Sequence, residues 1–292
     1  MATSLKTGLE IAPLDAPLGA RVSGVDLAQA LDAETRRILT EAWQDHVVLL
    51  FPGQDVTQDE QLAFAANFGE TGTRSRTVDR RPEGADYHDG IMLVGNIKDE
   101  QGNYTASLPD GEMYFHHDMC YMPEPHKGTV LYAIDLPSTG GDTMFSSMYR
   151  AYDMLPMELK KTLAGRTALQ VYDYHQTETV DVDGDLTGIH HRWQPIFVRH
   201  PETGRTALYV NRLMTARIEG MSKEESDEVL AALWEIAEAP DNVLVHRWTR
   251  GDLLIWDNYC SCHARTDFPA SERRLLRRCT IQGGSMIMAD HL

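Results

Sequence analysis

Short β-branched and aromatic runs, each closed by a turn signal, recur through the chain with few helix-length segments between them. The runs are Val47–Phe51, Ile91–Ile97, Gly128–Leu136, Asp142–Phe145, Pro195–His200, Ala207–Val210, Val243–Trp248, Asp252–Trp256 and Leu275–Ile281. Turn residues stand at Pro52-Gly53, Pro137-Ser-Thr-Gly-Gly141 and Glu202-Thr-Gly204, and the spacing about Thr249-Arg-Gly251 predicts a hairpin between its two flanking runs. So few βαβ units, with helices concentrated near the start, argue for a two-sheet β core with packed helices, that is, a mainly β (α+β) chain with a double-stranded β-helix, or jelly-roll, core.

Helical periodicity supplies the flanks. Asp32 to His46 carries Ile38, Leu39, Ala42 and Trp43 on one face, and Thr57-Gln-Asp-Glu60 is a capping box opening a helix whose Leu62, Ala65 and Phe68 share a side before Gly69. Ser146 or Ser147 can cap a helix holding Tyr149, Tyr152 and Leu155; Pro156–Leu163 gives another, and Ser222 with Glu225 caps one running through Leu233 and Ile236. Two stretches lack period: a polar loop from Glu70 to Gly90, and residues 164–195, read as an insertion in a single domain spanning 1–292. Tyr172, Tyr174 and Trp193 in that insertion are compatible with an aromatic ligand, although packing accounts for such residues more often.

The formal charge of -17 argues against a nucleic-acid partner, and makes local arginines necessary for any anionic ligand. No run approaches the roughly 18 apolar residues of a membrane span, and the N-terminus lacks a cleavable leader pattern, so a cytoplasmic protein without a membrane partner is expected. Four cysteines are too few for a disulfide scaffold. Cys260-Ser-Cys262 lacks CxxC spacing, yet its place beside His263 keeps a zinc site open as a minor alternative.

Chemistry concentrates in Met113-Tyr-Phe-His-His-Asp-Met119. On an extended strand His116 and Asp118 leave the same face, whereas His117 points to the other. The best third ligand is His263, beyond Asp252-Leu-Leu-Ile-Trp256, which a jelly roll is expected to set opposite the ligand strand across the barrel. Two histidines and a carboxylate on one side of a metal leave positions open, as in non-haem Fe(II) oxygenases. In Arg273-Arg-Leu-Leu-Arg-Arg278 the same period groups Arg274, Leu276 and Arg278 against Arg273, Leu275 and Arg277. Arginines pointing inward, about 13 Å apart, would demand anionic partners; solvated arginines on an edge strand are the plain alternative.

These residues resemble the TauD/TfdA family of Fe(II)- and 2-oxoglutarate-dependent dioxygenases. The resemblance spans Gly19–Leu27, Val48–Gln54, Ala63–Gly69, Phe115-His-His-Asp118, Leu136–Thr143, Tyr149–Tyr152, Trp256-Asp-Asn258, His263, Arg273-Arg274 and Arg277-Arg278, in the family's order and spacing. It implies His116, Asp118 and His263 as iron ligands, Thr143 and Arg274 as the clamp on the distal carboxylate of 2-oxoglutarate, and Arg278 at the position that holds a substrate anion. The segment around Glu112 is expected to face substrate. His117 and Phe115 depart from the family's usual small polar residue and tryptophan.

The resemblance further implies O2 and 2-oxoglutarate as co-substrates, release of succinate and CO2, a small anionic organic substrate such as a sulfonate, aryloxyalkanoate or other carboxylate, and a homodimer or homotetramer. Two alternatives are a non-catalytic jelly-roll binding protein, against which the intact three ligands and Arg274 weigh, and a zinc hydrolase on the same triad, which would have no reason to keep Thr143 and Arg274.

Overall fold

The computed structural model describes residues 3–4, 8–73, 87–109, 111–172, 180–182 and 184–289. Most of the polar loop before Ile91, with Arg74, Arg76, Arg80, Arg81 and Asp86, and part of the 164–195 stretch, with Tyr174 and His175, lie outside the described residues. In chain order the elements are β1 (Thr3–Ser4), β2 (Glu10–Pro13), β3 (Ala20–Ser23), α1 (Ala33–His46), β4 (Val48–Phe51), α2 (Gln58–Ala65), β5 (Met92–Gly95), β6 (Met113–His116), β7 (Gly128–Asp135), β8 (Thr143–Ser147), α3 (Met148–Met154) and α4 (Met157–Leu163). There follow β9 (Thr167–Val171), β10 (His191–Pro195), β11 (Phe197–Arg199), β12 (Thr206–Leu208), β13 (Thr215–Ile218), α5 (Lys223–Ala237), β14 (Val243–His246), β15 (Leu253–Asp257), β16 (Ser261–Arg265) and β17 (Leu275–Ile281).

Two sheets make the jelly-roll core. The larger has the order β1-β2-β3-β4-β15-β7-β17-β5, and the smaller β14-β8-β16-β6. Period two sorts the larger sheet into two faces. Leu131 and Ala133 of β7, Leu254 and Trp256 of β15, and Leu276 of β17 join Phe145 of the smaller sheet in one core cluster. Their neighbours Val130, Tyr132, Leu253, Ile255, Cys279 and Ile281 turn outward against Leu39 and Trp43 of α1 and Leu62 and Phe64 of α2. Both faces of these central strands are thus buried, each large side chain contributing about 1.5–3 kcal/mol.

The helix ends follow their capping signals. The Asp32 carboxylate accepts from Thr35 N at 2.8 Å, and Thr57/Glu60 and Ser222/Glu225 close reciprocal capping boxes. Ser147 caps α3.

Three expectations are corrected. Val243–Trp248 and Asp252–Trp256 do not form a hairpin: β14 pairs with β8 in the smaller sheet, and β15 pairs with β4 and β7 in the larger. The turn at Thr249–Gly251 carries the chain from one sheet to the other, and such a crossing has the same turn residues as a hairpin. Strands β6 and β16 do not face each other across the barrel; they are hydrogen-bonded neighbours, with His263 paired to His116. Finally, the ends of the 164–195 stretch are strands, β9 pairing with β10 and β13 in a three-stranded sheet.

Candidate metal centre and anion clamps

His116 ends β6 and His263 stands beside it on β16, their ring centroids 4.1 Å apart. After His116 the chain leaves the strand for a turn in which Met119 adopts φ 59°, so Asp118 reaches the histidines from a turn rather than from a continued strand. Its Oδ1 lies 4.0 Å from His116 Nε2 and 3.9 Å from His263 Nε2. One ligand atom from each of the three residues falls within 4.8 Å of the others, a spacing that could hold one ion.

The donors are prepared for a cation. The His116 Nδ1–H donates to the Tyr114 carbonyl at 2.9 Å, which leaves Nε2 its lone pair. Burial pushes the imidazoles of His116 and His263 below their ordinary range, so both rings are neutral near neutral pH. Burial opposes ionisation of Asp118, but Arg278, His263 and His116 outweigh it and its carboxyl is held below the usual range. Trp256 and Phe145 wall His263, with centroids 4.8 and 6.4 Å from its ring.

The second oxygen of Asp118 is turned the other way. Oδ2 accepts from Thr129 Oγ1 at 2.7 Å and from Arg278 Nη2 at 2.7 Å. Arg278 is on β17, an interior strand between β7 and β5 rather than an edge. Its Nε is buried with no hydrogen-bond partner among the described residues.

Arg274 immediately precedes β17 and is 1% exposed. Its Nη2 donates to the Gly141 carbonyl at 3.0 Å, two residues before Thr143, while Nε and Nη1 have no partner among the described residues. Gly141 has φ 68°, and a Cβ there would lie 2.8 Å from Arg274 Nε, so only glycine lets the guanidinium pass. Burial, then Arg265, presses the Arg274 guanidinium down to about 9. A buried cation so placed calls for an anion. Thr143 Oγ1 accepts from Trp248 Nε1 at 3.0 Å. The other two arginines serve packing: Arg277 donates to Gln61 Oε1 at 2.7 Å on the helix side, and Arg273 to Asp135 at 2.9 Å near the surface.

Glu112 is exposed and lines a cavity of about 590 Å³ with Met113, Met144, Trp234 and Ala264, which includes none of the three clustered ligands. His117 packs on the opposite face of β6, its ring 4.2 Å from that of Tyr209 and 3.3 Å from Cys262 Sγ. Cys260 lies instead with His200 and Asp257 in a second buried group. There His200 Nε2–H donates to Asp257 at 2.9 Å and Nδ1 accepts from the Glu202 and Thr203 N–H groups at 3.2 Å, leaving no imidazole lone pair for a metal. Neither thiol joins the triad, so the zinc alternative loses its cysteines. The sequence alone does not single out Thr129. Period two does put Thr129 on the Leu131/Ala133 face, where a buried hydroxyl requires a partner.

The model of the family described as "Taurine catabolism dioxygenase TauD, TfdA family" matches residues 10–280. The chain belongs to this family. It is 35% identical over 289 residues to the (S)-phenoxypropionate/alpha-ketoglutarate-dioxygenase of Sphingobium herbicidovorans, covering 96% of each chain. It is 31% identical over 288 residues to the alpha-ketoglutarate-dependent 2,4-dichlorophenoxyacetate dioxygenase of Cupriavidus pinatubonensis, covering 92% of this chain and 96% of that one. The crystal structure of AAD-2 in complex with Mn(II) and N-oxalylglycine superposes with a TM-score of 0.78 at 29% identity, covering 95% of this chain and 98% of the other. This family member is accordingly a 2-oxoglutarate-dependent dioxygenase that uses a metal, 2-oxoglutarate and O2, with a jelly-roll core. No helix among the described residues is long and apolar enough to cross a membrane.

Proposed function

We propose that His116, Asp118 and His263 hold one Fe(II), that Arg274 with Thr143 takes the distal carboxylate of 2-oxoglutarate, and that Arg278 binds the anionic group of the organic substrate. The donor set fits the ion: two neutral imidazoles and one ionised carboxylate around a single point. Bound iron supplies the redox chemistry that couples decarboxylation of 2-oxoglutarate to oxidation of a substrate C–H bond. The chain's own residues do the rest. His116 keeps its Nε2 lone pair toward the ion by spending Nδ1–H on Tyr114. Arg274 offers a desolvated charge that an incoming dicarboxylate neutralises. Arg278, with Nη2 on Asp118 and Nε unpartnered among the described residues, has an edge left for a substrate carboxylate or sulfonate.

The observation that carries this reading is Arg274: a guanidinium 1% exposed with two nitrogens unpartnered among the described residues has no use in a metal hydrolase and an evident one beside a 2-oxoglutarate site. The substrate is a small organic anion, and the relatives' names make an aryloxyalkanoate the first class to try, ahead of sulfonates and other carboxylates. Hydroxylation at the carbon bearing an ether oxygen would give a hemiketal or hemiacetal that collapses to a phenol and a carbonyl acid. The exposed segment around Glu112 is assigned to substrate access. The proposal extends to a single-domain, cytoplasmic homodimer or homotetramer, on the family resemblance, which light scattering reads directly.

The test is succinate release from 2-oxoglutarate with Fe(II), ascorbate and O2 across a panel of aryloxyalkanoates, sulfonates and amino-acid derivatives. Substrate-stimulated, O2-dependent succinate is the expected outcome. Turnover that persists without O2 would instead establish the hydrolase.

A further inference from the structure

We infer that Thr129, Asn258 and Trp256 are positioning residues for the metal carboxylate, a relay that keeps Asp118 presenting Oδ1 alone; the inference rests on the metal assignment proposed above. Thr129 Oγ1 donates to Asp118 Oδ2 at 2.7 Å and accepts from Asn258 Nδ2 at 3.2 Å. Asn258 Oδ1 in turn accepts from Trp256 Nε1 at 2.9 Å. Thr129 and Asn258 are 0% exposed and Trp256 is 1% exposed, so water does not compete for these bonds.

The direction of every proton in this chain follows from its end. Indole Nε1 can only donate, which makes the Asn258 oxygen its acceptor and points the Asn258 NH2 at Thr129. An amide NH2 can only donate as well, so the Thr129 hydroxyl accepts there and spends its one proton on Asp118. A buried threonine without this input could rotate its hydroxyl; here the rotor is set. The same Trp256 ring lies 4.8 Å from the His263 ring. The end of β15 therefore supports two ligands carried by different segments, Asp118 by hydrogen bonds and His263 by ring contact.

Arg278 is the other donor to Oδ2, and it is also the residue assigned to the substrate's anion. When that anion draws on the Arg278 guanidinium, Thr129 still occupies Oδ2, and the carboxylate cannot rotate to offer both oxygens to the ion. A network that merely satisfies buried polar groups would leave metal affinity unchanged when shortened. A positioning relay would not.

The test uses Mn(II) binding to the full-length, 2-oxoglutarate-free protein, followed by the loss of the free-ion EPR signal, so that no turnover is required. Thr129→Val keeps the shape and removes the hydroxyl; it is expected to weaken Mn(II) about 10–100-fold, the usual size of an outer-shell loss, while Thr129→Ser stays within about threefold of the parent. Trp256→Phe, which keeps a ring beside His263 and removes the N–H, is expected to weaken Mn(II) by about tenfold and carries the test should Thr129→Val not fold. Affinities for Thr129→Val, or in its place Trp256→Phe, within about twofold of the parent would overturn the relay. A parent protein whose Mn(II) affinity is indifferent to Asp118→Ala would overturn the metal assignment itself, and the two failures are thereby told apart.

Discussion

Arg278 donates through Nη2 to Asp118 Oδ2 at 2.7 Å, so the arginine proposed for the substrate also touches the carboxylate proposed for the metal. On the proposed assignment, a substrate anion and the metal would therefore share one guanidinium. Replacing Arg278 by Ala should raise the KM for substrate at least about tenfold, since a hydrogen bond to a charged group contributes about 1.5–3 kcal/mol. Metal affinity should fall as well, whereas 2-oxoglutarate affinity at saturating metal should hold. Equal losses of substrate and 2-oxoglutarate would show that Arg278 and Arg274 have been assigned the wrong way round.

Arg274 presents a trade between stability and binding. Its charge is buried with two nitrogens unpartnered among the described residues, which costs the ligand-free fold. Arg274→Met should leave the metal-free protein as stable or about 1–3 kcal/mol more stable, because an apolar isostere removes an uncompensated buried charge. It should also abolish the rise in Tm on adding 2-oxoglutarate or N-oxalylglycine. Thermal melts with and without ligand read both; a marked drop in the ligand-free Tm would mean that Arg274 is a structural residue.

Stability should peak near neutral pH. Burial, then Arg278, presses the His126 imidazole down to about 4, against the pull of Asp118. Its unfolded value is about 6.5, so its contribution is complete above that pH and is lost as pH falls toward 4. Burial pushes the Cys279 thiol up to about 12, against about 8.5 unfolded. That contribution is complete below the unfolded value and is lost as pH rises. Tm measured against pH should decline on both sides, with His126→Asn flattening the acid limb. An unchanged acid limb in that variant would remove His126 from the account.

All four cysteines, Cys120, Cys260, Cys262 and Cys279, are free and buried. The native protein should resist Ellman's reagent at pH 8 and release four equivalents on denaturation. Fast reaction of any thiol in the native state would contradict the packing around it.

How far the sequence went depended on the kind of information each feature carries. The clustering of His116, Asp118 and His263 and the burial of Arg274 were legible because residue type, period two and the order of distant motifs agree. Period two assigns a side chain to a face, and it separated Arg278, which meets Asp118, from Arg277, which meets Gln61 on the helix side. It says nothing of which strand lies alongside. For that reason the adjacency of β6 and β16 was missed, and the turn at Thr249–Gly251 was read as a hairpin although it switches sheets. Asp118 was reached by a strand argument that the structure only partly honours, since β6 stops at His116. Thr129 was invisible for a different reason. A threonine in a strand is ordinary, and its role arises only when a carboxylate 11 residues away folds onto it. His117 shows the reverse: an added histidine between His116 and Asp118 proves to be a packing residue against Tyr209 and Cys262.

The central claim, that the His-Asp-His cluster and Arg274 form one chelation site, is tested most directly by anaerobic titration of the protein with Fe(II) and 2-oxoglutarate, followed by visible absorption. The account predicts a charge-transfer band that needs both components, vanishes in Asp118→Ala, and in Arg274→Met appears only at 2-oxoglutarate concentrations at least about tenfold higher. A band of undiminished intensity in Asp118→Ala, or none in the parent protein, would contradict it.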